Sequence, residues 1–228
     1  MIMKTKALIL IASVLFLAAC DKNDDSNTNP PETPDTYINT TQGSTWTYHE
    51  DNSASGTTVG SDYTVTSTNK DTTIGSRKYH VYTYSYGGSR YLNISGHEYY
   101  QFDSIPVGAG ITVERLYLKD DAAVGASWEQ QSDITVPNLP IPIPLKITNT
   151  ITEKGITRTV KGKDYTDVIH VSSSLSSPLI TSGFTSSIDS YFAPKYGLIE
   201  NTTKIDLDYS GIVQKIDLNT QLVSADLK

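Results

Sequence analysis

The sequence contains a single cysteine, Cys20, so the chain cannot form an internal disulfide bond. It is also short of positive charge, with 18 Lys and Arg against 25 Asp and Glu and a formal net charge of −7. A chain with this balance is a poor candidate for binding nucleic acid or anionic lipid headgroups. No stretch shows a convincing apolar period of 3.6 residues, which argues against amphipathic helices.

Sequence motifs for common catalytic and metal sites are missing as well. The chain has no His-x-His, no His-Glu-x-x-His, no Gly-x-Ser-x-Gly and no glycine-rich phosphate loop after a strand. The four histidines are His49, His80, His97 and His170. Histidines beside tyrosines in strand-like segments are more often packed or surface residues than ligands. We therefore predict a protein that is not an enzyme and has no cofactor or metal.

The amino terminus has the order of a secretory signal peptide. Lys4 and Lys6 precede thirteen uncharged residues, Ala7 to Ala19, a segment too short to span a bilayer. We predict that residues 1–19 are a signal peptide that is removed. Removal takes away two lysines and no acid, so the formal net charge becomes −9.

The residues Leu17-Ala18-Ala19-Cys20 resemble the bacterial lipobox. The resemblance implies that Cys20 receives a diacylglyceryl thioether and that the new amino terminus is acylated. Two or three acyl chains would attach the protein stably to a membrane, since one chain binds only marginally. The alternative is a chance cysteine at the end of an ordinary signal peptide.

Residues 20–36 are predicted to be a lipid-anchored, disordered tether, because they are rich in Asn, Asp, Ser, Thr and Pro and lack core-forming side chains. Asp24 and Asp25 after Lys22 are similar to the acidic export signal of some Gram-negative lipoproteins. A merely soluble linker is the alternative. The predicted location is the outer membrane, on its periplasmic or cell-surface face.

Residues 37–228 are predicted to form a single antiparallel all-β domain. Trp46 and Tyr48 alternate with threonines, and Tyr63 and Val65 do the same, as expected for strands with one buried face. Thr, Ser, Tyr and Val dominate where helix formers would be expected. The predicted architecture is a twisted sheet that forms a half-open barrel or two packed sheets.

Short motifs recur in the same order in two halves of the domain, about 37–118 and 119–228. Gly43-Ser44-Thr45-Trp46 matches Gly125-Ala126-Ser127-Trp128, and the segment from Tyr91 to Gly96 matches that from Tyr191 to Gly197. The segments 75–82 and 162–171 are also similar. The pattern predicts two equivalent halves, with coincidence among Thr- and Ser-rich strands as the alternative.

Two motifs give the chain a resemblance to a known family. Gly43-x-x-Trp46-x-Tyr48 and the run from Tyr191 to Ile199 (YFAPKYGLI) resemble those of uncharacterised bacterial outer-membrane lipoproteins. Members usually carry Gly-Val-Gly where this chain has Lys195-Tyr196-Gly197. The resemblance implies an antiparallel sheet and no known activity.

Residues 206–217 match a calcium-loop pattern. Asp206, Asp208, Ser210 and Asp217 occupy positions 1, 3, 5 and 12. The same residues alternate as a strand hairpin turning at Ser210-Gly211, and no flanking helix pattern is present. The hairpin is the favoured interpretation, and calcium is the weaker alternative.

Three predicted connections are apolar where loops are normally polar, at 105–111, 136–145 and 178–184. They either cap one end of the sheet or form an apolar rim for a ligand or partner. The candidate rim consists of Val107, Ile111, Leu139, Ile141, Ile143, Leu179 and Phe184.

The resulting functional hypothesis is a lipid-anchored, non-catalytic cell-envelope protein that binds an apolar ligand or an envelope protein. One alternative is a structural or assembly accessory of an outer-membrane complex. Another is a surface glycan-binding module, since fifteen tyrosines could supply stacking rings.

Overall fold

The computed structural model describes residues 35–104, 112–134, 142–209 and 211–228. These residues contain twelve strands and no helix, as the alternation of apolar and polar residues predicts. The strands are β1 (Thr45–Asn52), β2 (Val59–Ile74), β3 (Arg77–Tyr84), β4 (Ser89–Ser95), β5 (Glu98–Ser104), β6 (Thr112–Lys119), β7 (Ser127–Ile134), β8 (Ile143–Val160), β9 (Lys163–Ser176), β10 (Phe184–Ala193), β11 (Gly197–Tyr209) and β12 (Ile212–Asp226). Within these ranges, no helix is long and apolar enough to cross a membrane.

All twelve strands belong to one antiparallel sheet in the order β6-β5-β4-β3-β2-β1-β12-β11-β10-β9-β8-β7. The first strand pairs with the last, from Thr45 opposite Asp226 to Asn52 opposite Leu218. This pairing joins the two halves in the middle of the sheet, and contacts between the edge strands β6 and β7 give the sheet a nearly closed, barrel-like shape. Of the two predicted architectures, the single curled sheet is correct and the pair of packed sheets is not.

The two edges of the sheet, β6 and β7, meet through side chains instead of a strand ladder. The Leu116 backbone N–H donates to Gln130 Oε1 at 2.5 Å, and Trp128 Nε1 donates to the Leu116 carbonyl at 2.8 Å. These bonds satisfy backbone groups that an unpaired edge would leave open. We call this contact the seam.

Residues 35–44 cross the end of the sheet at which β1 begins. The Lys195 backbone N–H donates to the Thr36 carbonyl, and Tyr82 Oη donates to the Asn39 carbonyl. Asp35 also pairs with Lys195 Nζ at 3.0 Å. Asp35 and Thr36, which precede the predicted start of the domain at residue 37, thus already contact the sheet.

Inward-facing side chains form two apolar clusters. The larger one contains Trp46, Tyr48, Tyr82 and Phe192 near the end covered by residues 35–44. The smaller one lies toward the opposite end and contains Val113, Ile143, Leu145, Ile147, Leu175, Ile205 and Leu207. Polar side chains fill the interior between them, and this is where the candidate site lies.

The marks of the predicted repeat lie six strands apart. Trp46 and Trp128 are the second residues of β1 and β7, and Tyr91 and Tyr191 lie on β4 and β10. Equivalence of the two halves in space stays a prediction, which superposition of β1–β6 on β7–β12 would test.

Candidate functional site

The curled sheet surrounds a partly open interior cavity of about 220 Å³. Its floor is formed by Tyr117, Phe192 and Leu198, which also border the small space above residues 35–44. Burial raises the pKa of Tyr117 to about 12. The floor thus separates the cavity from the end of the sheet that residues 35–44 cover.

The wall from β3 to β6 carries two arginines. Arg90 lies opposite Tyr82 in the ladder, and Arg115 lies opposite Gln101, so all four side chains share the inner face. Arg90 Nη2 donates to Gln101 Oε1 at 3.2 Å, and Gln101 Nε2 donates to Asp103 Oδ2 at 2.8 Å. Arg90, Gln101 and Arg115 all border the cavity, and Asp103 is linked to Arg90 through Gln101.

The two arginines have poor hydrogen-bond satisfaction for buried cations. Within the described part of the chain, the Nε atoms of Arg90 and Arg115 are buried and have no hydrogen-bond partner. Burial lowers the pKa of Arg115, Asp103 offsets part of this, and Arg90 lowers it further. For Arg90 the loss of hydration is outweighed by nearby tyrosine hydroxyls and Asp103, so its pKa is raised. Both side chains stay charged at neutral pH.

The wall from β8 to β12 is mixed. Ile147, Leu175 and Ile188 give it an apolar part that is continuous with the smaller core cluster. Its polar part is already hydrogen-bonded internally: Ser173 Oγ donates to Asn149 Oδ1, and Asn201 Nδ2 donates to Ser190 Oγ. The cavity thus has one cationic wall and one wall that offers an apolar surface.

Tyrosine rings line the side of the cavity nearest β2 and β3. Tyr63 and Tyr84 border the cavity, and Tyr86 in the following turn stacks on Tyr84 with ring centroids 4.9 Å apart. Tyr86 is 70% exposed. The rings therefore continue from the cavity wall to the protein surface.

The predicted apolar rim is only partly within the described residues. Ile143 is buried in the smaller core cluster, Phe184 packs against the same cluster, and Leu179 is 42% exposed. Val107, Ile111, Leu139 and Ile141 lie outside the described residues. Because β5, β7 and β9 run in the same direction, their final residues Ser104, Ile134 and Ser176 lie at one end of the sheet. A rim that binds a ligand stays a prediction, whereas Ile143 and Phe184 serve the core.

The calcium alternative finds no support in the strand geometry. Asp206 and Asp208 lie on the exposed face of β11, paired with Lys215 and Val213 of β12, and Asp217 lies opposite Lys204. Ser210 lies outside the described residues. In the part of the chain that the structure covers, no group of three or more His, Cys, Asp or Glu side chains could hold a metal ion.

Ser67, His80 and Asp71 form a chain of hydrogen bonds that resembles a nucleophile, a base and an orienting acid. The Ser67 Oγ to His80 Nε2 and His80 Nδ1 to Asp71 Oδ1 distances are both 2.9 Å. Ser67 is only 1% exposed, because its backbone is bonded to Gly43 and Ser44 of the preceding turn. A hydroxyl without access to substrate cannot act as a nucleophile, so we interpret the group as structural.

The outer face carries two stacked arginines. Arg158 lies 3.5 Å from the centroid of the Tyr191 ring and pairs with Glu200 at 2.5 Å. Arg77 lies 3.4 Å from the centroid of the Tyr100 ring and pairs with Glu114 at 3.3 Å. Each of these cations stacks on an aromatic ring and donates its Nε–H to a glutamate, which fits a stabilising role.

Comparison with known proteins gives two structural neighbours. One is described as a "putative lipoprotein" from Parabacteroides distasonis, with 12% sequence identity, a TM-score of 0.46 and coverage of 86% of this chain and 100% of the neighbour. The other is a "putative exported protein with YmcC-like fold" from Bacteroides fragilis, with 10% identity, a TM-score of 0.43 and coverage of 84% and 99%. No family model and no curated protein matches the chain.

Sequence reasoning missed Arg90 and Arg115, although a signal was present. Arg90 has the same alternation phase as Leu92, and Arg115 has that of Val113 and Tyr117. Charged residues at apolar phase positions of a strand face inward, and an inward charge is uncommon without a functional reason.

Proposed function

We propose that this chain is a lipid-anchored cell-envelope protein that binds a small ligand inside its curled sheet without catalysing a reaction. The observation that carries the proposal is the cavity of about 220 Å³, which is far larger than the space that one buried water occupies. A cavity with both apolar and polar walls is typical of ligand sites.

The envelope location is supported by the amino-terminal sequence. The apolar leader, the lipobox-like residues before Cys20 and the polar segment 20–36 are what a membrane-tethered domain requires. Replacing Cys20 with Ser should abolish incorporation of labelled fatty acid and leave an uncleaved precursor. Normal processing of C20S would contradict the anchor.

The absence of catalysis is supported by the burial of Ser67 and by the hydrogen bonds of the two serine hydroxyl groups that border the cavity. Ser173 and Ser190 are both engaged with asparagine side chains and have no adjacent histidine partner among the bonds of the described residues. A hydroxyl in this state lacks the adjacent base that nucleophilic catalysis requires.

A neutral dye tests the cavity directly. Residues 35–228 form one compact unit, so the soluble chain 21–228 is suitable for the measurement. We expect the fluorescence of N-phenyl-1-naphthylamine to increase when the dye binds this chain. The affinity of the dye should be at least tenfold lower for the Ile188→Trp variant, because the larger side chain fills the cavity. Val223→Trp, at a side chain that is 46% exposed, is the matched control and should bind like the wild type. Equal binding by both variants would refute the proposal.

A further inference from the structure

Arg90 and Arg115 place two guanidinium groups beside the same cavity, and the Nε atoms of both are buried without a hydrogen-bond partner among the described residues. Two guanidinium groups bring ten N–H donors to one side of a confined space, and like charges there repel each other more strongly than in water. The carboxylate of Asp103 acts on both of them. Glu50 also faces inward, but from β1, where it accepts a hydrogen bond from Thr220. Asp103, Glu50 and both arginines all act on Tyr84, yet the Nε atoms of Arg90 and Arg115 still have no hydrogen-bond partner among the described residues.

The neighbouring strands hold the pair in place. Arg90 is on β4, Gln101 on β5 and Arg115 on β6, and the hydrogen bond from Arg90 to Gln101 fixes one guanidinium. Planar guanidinium groups on rigid strands suit the two oxygens of a carboxylate or phosphate. The outer-face arginines Arg77 and Arg158 show the contrast, since glutamates already occupy that role there.

The opposite wall indicates what the rest of the ligand is like. Ile147, Leu175 and Ile188 border the same cavity and are continuous with the apolar cluster around Leu145 and Leu207. A small inorganic anion would leave this surface without a partner. An acid with an aliphatic body would cover both walls at once.

We infer that the cavity binds an anionic amphiphile, with its carboxylate or phosphate between Arg90 and Arg115 and its aliphatic body against Ile147, Leu175 and Ile188. This inference rests on the proposed binding function and names the ligand class for that same site.

The test compares probes that differ only in the head group. Decanoate, decyl phosphate and decanol are titrated into chain 21–228 by calorimetry, with inorganic phosphate as a fourth probe. We expect both acids to bind at least tenfold more tightly than decanol. Phosphate alone should bind at least tenfold more weakly than decyl phosphate, because it lacks the body. If inorganic phosphate binds as tightly as decyl phosphate, the inference that the ligand has an aliphatic body is wrong.

Variants assign the effect to the two arginines. Arg90→Gln and Arg115→Gln should each lower the affinity for decanoate at least tenfold and change the affinity for decanol by less than twofold. Arg77→Gln, on the outer face of the same half of the sheet, is the control and should change the affinity for neither decanoate nor decanol. If a glutamine variant fails to fold, Arg115→Lys keeps the charge and should still prefer decanoate to decanol.

The outcomes separate the two claims. Equal binding of decanoate and decanol, unchanged in the arginine variants, would overturn the anionic ligand and leave the cavity proposal standing. Failure of every probe, together with an Ile188→Trp variant that behaves like the wild type toward the neutral dye, would overturn both.

Discussion

The Nε atoms of the outer-face arginines Arg77 and Arg158 donate to glutamates, whereas those of Arg90 and Arg115 have no hydrogen-bond partner among the described residues. Trp46 and Tyr48 were predictable as core residues because their alternation with threonines shows which face is buried, and both are buried. Alternation also places Arg90 and Arg115 on the inner face, but a single sequence does not show that charged residues of two strands converge on one cavity. Their unpartnered Nε atoms are visible only once the sheet is closed.

The backbone conformation at Gly183 requires a residue without a Cβ atom. Its φ is +74°, and an added Cβ would overlap the carbonyl oxygen of Asp208, to whose N–H the Gly183 carbonyl is bonded at 2.7 Å. Gly56 has a similar φ of +82° with open space around it. Gly56→Ala should cost about 1–2 kcal/mol from left-handed strain, and Gly183→Ala should cost about 1–3 kcal/mol more from the overlap. Urea unfolding of both variants measures the difference, and equal losses would contradict this account.

Ser67 gives a second prediction at the residue scale, and it concerns catalysis. A fluorophosphonate reagent that labels activated serines should not modify Ser67, because the hydroxyl is buried beneath the turn at Gly43 and Ser44. Ser67→Ala should lose about 1 kcal/mol of stability through the missing bond to His80. Labelling of Ser67 in the wild type, absent from the alanine variant, would show that the chain is an enzyme.

The strands themselves could largely be predicted from the sequence, but their closure could not. Alternation locates β1, β2 and β8 because each has one apolar and one polar face. The pairing of β1 with β12 joins residues more than 160 positions apart, and local patterns contain no information about it. The seam between β6 and β7 depends on single side chains, which periodicity cannot identify.

The seam predicts a specific effect of Gln130. Its Oε1 accepts from the Leu116 amide, so Gln130→Leu leaves that amide without a partner at the sheet edge. Amide hydrogen exchange at Leu116 should become at least tenfold faster, which corresponds to about 1.4 kcal/mol. Gln131→Leu is the control, since the Gln131 side chain is exposed on the same strand. Unchanged exchange in Gln130→Leu would mean that other contacts close the sheet.

At the largest scale, the described residues form a tyrosine-rich curled sheet whose interior combines an aromatic floor with a cationic wall. Composition and alternation predict the all-β class, and the amino-terminal pattern predicts export and anchoring. The polar cavity was not predicted, because the apolar residues of the three connections form a clearer sequence pattern than the few inward-facing polar residues do. Of the seven predicted rim residues, Ile143 and Phe184 pack in the core, and Leu179 is exposed.

Buried tyrosines make the stability of the whole molecule sensitive to alkali. Burial raises the pKa of Tyr117 to about 12 and raises the pKa values of Tyr48, Tyr63 and Tyr82. Because the folded state then holds protons that the unfolded state releases above pH 10, stability is fully present below pH 10 and is lost as pH rises. Each such tyrosine should remove up to about 1.4 kcal/mol per pH unit above pH 10. Urea unfolding at pH 8, 10 and 11 measures the slope, and Tyr117→Phe should make it shallower. A free energy of unfolding that does not change up to pH 11 would contradict the burial of these tyrosine hydroxyls.

The most direct test of ligand binding in the cavity is a crystal structure of residues 21–228 grown with saturating decanoate. We expect one decanoate inside the curled sheet, with its carboxylate about 3 Å from guanidinium nitrogens of Arg90 and Arg115 and its chain along Ile147, Leu175 and Ile188. A cavity that contains only water under these conditions, or decanoate bound solely on the outer face, would contradict it.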